Sequence, residues 1–96
     1  MVTHVVLFKM KDRSGESAVK VKDLLLSLRD GNIPGLQSVE AGIDYSREGR
    51  SFDVALITKH DDRAALDAYQ VHPFHKEVAR QIGELREQGV AVDFED

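Results

Sequence analysis

Between Ala68 and Val78 the chain reads AYQVHPFHKEV, with a tyrosine at 69 and histidines at 72 and 75 on either side of a proline. Two imidazoles about one turn apart have a metal-ligand spacing, and a phenol beside an imidazole is an acid/base pair. The same residues can also do no more than satisfy the backbone groups that a helix break at Pro73 sets free. The proline argues against a shared metal, because it puts His72 outside the helix to which His75 belongs, and no carboxylate stands at a recognised ligand spacing. No cofactor is expected. His75 falls in the first turn of the new helix segment, where the positive end of the helix dipole disfavours imidazolium, so neutral imidazole is its expected form. Tyr69, on the other side of the break, is the expected hydrogen-bonding partner, and His72 is expected to shape the kink.

The other histidines are His4 and His60. His4 shares a strand parity with Val6, Phe8 and Met10, which directs it at the same interior as the apolar helix stripes and lets it converge with Tyr69 and His75. It is then either a hydrogen-bonded core residue or an orienting group in a pocket. Phe8, Val54 and His72 are the expected ligand-contacting neighbours. His60, next to Asp61 and Asp62 at a strand-to-helix corner, reads as a solvated turn residue. No dinucleotide, Walker or G-x-S-x-G motif is present, so nucleotide binding and serine hydrolysis have no support.

These residues are positioned by a βαββαβ series. Residues 2–10 are apolar on both parities, Val2, Val6, Phe8 and Met10 against Val5 and Leu7, as a central strand requires. Ser14 is the expected cap of a helix carrying Ala18, Val21, Leu24, Leu25 and Leu28, stopped by Gly31 and Pro34. Leu36 to Tyr45 alternates as a more exposed strand, and Phe52, Val54 and Leu56 against Ala55 and Ile57 form another two-faced one. Asp61 or Asp62 caps a short helix with Ala65, Leu66 and Tyr69. Phe74, Val78, Ile82 and Leu85 mark the next helix, with Gly89 its expected end, and Val90, Val92 and Phe94 alternate in a last strand. This order predicts a ferredoxin-like α+β domain over residues 1–96, a four-stranded antiparallel sheet with helices on one face. The uncovered face carries apolar residues, so sheet-to-sheet packing of a homodimer into a barrel is expected.

With 96 residues, a net charge of −4 and basic residues scattered among acids, the chain lacks the footprint of a nucleic-acid or anionic-membrane binder. It has no cysteine, which excludes disulfides and thiol nucleophiles and suits a reducing cytoplasm. MVTHVVLFKMK has no basic segment before its apolar run and does not read as a signal peptide.

HVVLFKMK, GLQSVEAG, SREGRSFDVALIT and above all LDAYQVHPFH resemble the stress-responsive A/B barrel (Dabb) family over essentially the whole chain, with Y-x-x-HP-x-H the most specific element. The resemblance implies a dimeric α+β barrel, in a family whose members are mostly known as stress-associated proteins without an assigned reaction. Some plant members are cofactor-free polyketide cyclases, in which a tyrosine and the second histidine of HP-x-H do acid/base work. These match Tyr69 and His75, and a first-strand histidine matches His4. A further cyclase histidine on the third strand falls at Val54 here, which removes a polar group and keeps that face apolar enough for a hydrophobic ligand. The resemblance therefore leaves open a small hydrophobic or carbonyl ligand pocket, a non-catalytic stress or interaction protein, and the chemistry of the cofactor-free monooxygenases that share the barrel.

Overall fold

A computed structural model describes residues 1–96. Four strands, β1 (Val2–Met10), β2 (Leu36–Ile43), β3 (Val54–His60) and β4 (Arg86–Glu95), form one antiparallel sheet in the order β2-β3-β1-β4. The helices are α1 (Glu16–Leu26), continued by a 3-10 turn over Ser27–Asp30, α2 (Arg63–Val71) and α3 (Pro73–Leu85). The architecture is the ferredoxin-like α+β fold. The two strands apolar on both parities are the central pair, where a strand is flanked on both edges and its outward apolar residues are partly sheltered by those of its neighbours.

The core lies between the sheet and the helices. Val21, Leu25 and Leu28 from the first helical segment, Leu66 and Tyr69 from α2, and Val78 and Ile82 from α3 pack on Val2, Met10, Val39, Val54 and Leu56. Each such aliphatic side chain contributes about 1.5–3 kcal/mol on full burial. On the opposite face Leu7, Val90, Val92 and Phe94 remain exposed, Val92 to 63% and Phe94 to 49%, with Val5 and Ile57 half-buried among them.

Two element ends differ from expectation. Ser14 does not cap α1: its Oγ and backbone N–H both donate to Asp12, and Gly15 precedes the helix at φ 106, a conformation open to glycine. Gly89 does not end α3. The helix stops at Leu85, Arg86 turns extended, and β4 begins there because pairing with Met10 of β1 supplies the backbone partners a further helical turn would forgo. Asp62, by contrast, caps α2 through a bond from the Ala65 N–H at 2.8 Å.

The loop ends of β1 and β3 are pinned by Asp53, which is 1% exposed. Its Oδ2 accepts from the Met10 N–H at 2.7 Å, and its Oδ1 accepts from Arg47 at 2.7 Å and Arg13 at 3.1 Å. Burial pushes the carboxyl up, but these three donors outweigh it and hold the pKa below the ordinary Asp value. The stabilisation is therefore complete above the unfolded-state pKa of about 4 and is lost as pH falls through the lower folded value. Asp53→Asn should cost about 2 kcal/mol at neutral pH in urea unfolding, and should flatten the acid limb of the stability profile. An unchanged acid limb would show that Asp53 does not hold these loops.

Candidate functional site

A cavity of about 290 Å³ lies between the inner face of the sheet and the helices. Val6, Phe8, Leu56, Val78 and Ile82 give it apolar walls, and His4, Tyr69 and His75 supply polar groups. The water share of liquid volume, about 30 Å³, makes this room for roughly ten small heavy groups.

The polar groups are brought together by the helix break. His72 takes the extended conformation imposed on a residue before proline, ending α2 and starting α3. Its Nδ1 accepts from the Phe74 N–H at 3.1 Å, so this imidazole serves as the α3 cap and lies outside the cavity lining. The turn folds Tyr69 and His75 onto one another with ring centroids 4.4 Å apart and planes at 50°.

His75 Nδ1 lies 3.2 Å from the carbonyl of Gln70. A carbonyl only accepts, so the ring proton sits on Nδ1 and, in the neutral ring, Nε2 keeps a free lone pair. Burial lowers the His75 pKa, and the nearby His4 and His72 add to that against the opposing pull of the Gln70 carbonyl. Neutral imidazole is thus the favoured form of His75 near neutral pH, with burial its leading cause.

Tyr69 is fully buried, and burial pushes its phenol far above the ordinary range, so it remains protonated. The expected hydrogen bond from Tyr69 to His75 does not form. The rings pack against each other, and the Tyr69 hydroxyl has no partner within the protein. His4 is buried on the helix-covered face, and its Nδ1 bonds Asp93 Oδ1 directly across the β1–β4 ladder. The carboxylate fixes the ring and places a proton on Nδ1. Its ring centroid is 6.0 Å from that of Tyr69. Val54 is buried in the core but does not line this cavity, whereas Phe8 does.

His60 is corrected by the structure. Far from being a solvated turn residue, it is 0% exposed, with its ring 4.7 Å from Tyr69 and 6.4 Å from His4. Its Nε2 shares a 2.8 Å bond with the Thr58 hydroxyl, while Nδ1, like the Tyr69 hydroxyl, is buried without a partner. The signal was its parity: Val54, Leu56, Thr58 and His60 alternate on one face of β3, so the strand period points His60 inward. Asp93 was reachable only through register, since its contact is with a strand at the other end of the chain. No group of three or more His, Cys, Asp or Glu side chains is arranged to hold a metal ion.

Comparison with known proteins agrees with this architecture. The family model for the stress responsive A/B barrel domain matches residues 2–96. An uncharacterized protein of Streptomyces coelicolor is 32% identical over 78 residues, 79% of this chain and 80% of that one. Among solved structures, a dimeric ferredoxin-like protein of unknown function from Bacteroides fragilis superposes with a TM-score of 0.83 at 27% identity, covering 99% of this chain and 95% of that one. Another such dimeric protein, from Thermobifida fusca, gives 0.81 at 28% identity over 97% and 88%.

The buried imidazoles tie stability to pH. His60, through burial foremost, and His75 both have lowered pKa values, so below about 6.5 the unfolded chain takes up protons that the folded one refuses. Stability should fall as pH drops through that value toward the lower folded ones. His60→Phe, followed by urea unfolding between pH 5 and 8, should reduce the loss (an expectation of roughly one proton fewer from linkage). An identical slope in the variant would mean that His60 titrates normally in the folded protein.

Proposed function

The chain belongs to the stress responsive A/B barrel domain family, and on that premise we propose that it is a homodimeric barrel protein whose cavity binds, and acts by acid/base chemistry on, a small hydrophobic carbonyl or aromatic compound. The observation that carries the reading is that a neutral imidazole with its Nε2 free lines a mostly apolar cavity, packed against a buried phenol that is held protonated and has no partner of its own. A donor and an acceptor of this kind suit a carbonyl and its adjacent acidic carbon.

In the proposed chemistry the Tyr69 hydroxyl donates to the carbonyl oxygen. His75 Nε2 removes a proton from the α-carbon, and the C–H bonding pair moves toward the oxygen as an enolate, which the phenol hydrogen bond stabilises. The resulting carbon nucleophile can take that proton back from His75, or can attack a second carbonyl carbon, whose π pair moves to its oxygen as an alkoxide that takes up the proton, an aldol-type closure. Asp93 acts through His4 by holding its ring at the cavity wall. Dimeric relatives at 27% and 28% identity and the exposed apolar sheet face support the assembly, in which the face bearing Leu7, Val90, Val92 and Phe94 packs on its counterpart in a second copy.

Two measurements test this. Light scattering should give twice the 10.7 kDa chain mass, and Val92→Asp, on the exposed face, should return it to a monomer. A monomeric wild type at micromolar concentration contradicts the assembly. For the site, acetophenone in D₂O should exchange its methyl protons faster with the protein than without it. His75→Ala should reduce that acceleration about 100-fold, and Tyr69→Phe should reduce it comparably while leaving the fold intact. Exchange unaffected by either substitution would assign the chemistry to other residues.

A further inference from the structure

Arg86 is the one Lys or Arg among the residues lining the cavity. Arg13, Arg29, Arg47, Arg50, Arg63 and Arg80 are each engaged by a carboxylate or a carbonyl, whereas Arg86 has neither an ion pair nor a side-chain hydrogen bond. A cation beside a mostly apolar cavity, with no acid assigned to it by the protein, is a recognition group without its counterpart.

Its placement depends on local irregularity. Met10 faces Arg86 and Lys9 faces Gln88, so Glu87 is an extra residue that breaks the β1–β4 register. A bulge of this kind re-aims the neighbouring side chain. Glu87 is drawn toward Lys9 at 3.7 Å, while Arg86 shares the inward parity of Met10. Gly89 then makes room. A Cβ at that position would lie 3.2 Å from Arg86 Nη1 and 3.5 Å from the Phe8 ring, so the guanidinium rests over bare backbone next to the cavity wall. The place of Arg86 after the last turn of α3 also suits the helix dipole, but that alone requires neither the bulge nor the glycine.

We propose that Arg86 is the carboxylate-recognition group of the cavity, and that the ligand is elongated, with a carboxylate at the Arg86 end, an apolar body and a carbonyl or hydroxyl oxygen at the Tyr69 end. This rests on the reading of the cavity as a small-molecule site. A planar guanidinium fork matches a carboxylate in bidentate fashion, and a single cation suits a monoanion better than a phosphate dianion. The spacing sets the length. Gly89 faces Phe8 and Asp93 faces His4, four residues apart along β4, which is roughly 13 Å of strand.

The test is calorimetric titration of the intact protein with octanoate and with 1-octanol, alongside methyl NMR spectra of Val78 and Ile82 to report cavity occupancy. Octanoate should bind about tenfold more tightly than 1-octanol, a preference that weakens with salt. Arg86→Gln should abolish the preference without changing 1-octanol binding, and Arg86→Lys should keep only part of it, since charge persists while the fork is lost. Equal affinities in the wild type, or a preference that survives Arg86→Gln, overturns the role of Arg86 while 1-octanol shifts of the Val78 and Ile82 methyls leave the cavity reading standing. If neither compound shifts those methyls, the cavity reading falls and this proposal with it.

Discussion

The break between α2 and α3 is the constraint on which the site depends. Proline cannot donate a backbone N–H and pushes its predecessor out of the helical region, so a helix running from Arg63 would have to end at His72. The cost of stopping is offset locally, because the His72 ring caps the helix that follows. With both helices anchored to the sheet through Leu66, Val78 and Ile82, the turn has one outcome: the Tyr69 and His75 rings pack together, tilted, over the inner face of β1 and β3. An unbroken helix would separate the two residues along its axis. The chemistry proposed for the cavity therefore has its origin in a backbone restriction.

The surroundings then set protonation. Desolvation disfavours charge on imidazole and on phenolate alike, which leaves His75 and His60 neutral and Tyr69 protonated. A hydroxyl with no protein partner is destabilising in a sealed core, yet it is what a site needs if a ligand oxygen is to complete it. The same conflict of local rules recurs at Arg86, where a register irregularity and a glycine interrupt β4 beside the cavity. On the other face of the sheet Val90, Val92 and Phe94 form an exposed apolar row without such polar exceptions.

Much of this was legible in the sequence because it rests on local patterns. Two-faced apolarity identified β1 and β3 as the central strands, and Pro73 located the break between helices. His4, Tyr69 and His75 were placed on a common interior by strand parity and helix position, and the structure brings all three to the cavity lining. What escaped was set by pairing between distant segments. His60 looked like a corner residue because Asp61 and Asp62 dominate its neighbourhood, although its strand continues to that residue. Asp93 and Arg86 gain their meaning from the β1–β4 register, which no local period encodes. The sequence suggests a hydrogen bond between Tyr69 and His75, whereas the rings meet as a close tilted contact that leaves the Tyr69 hydroxyl without a partner.

The proposed chemistry turns on the protonation state of His75, since the base must be neutral with its proton on Nδ1. Long-range proton–nitrogen NMR correlation of the histidine side chains at pH 7 reads this directly. A neutral His75 ring protonated at Nδ1, with Nε2 free, is expected. A ring protonated at Nε2, or an imidazolium at that pH, would contradict it.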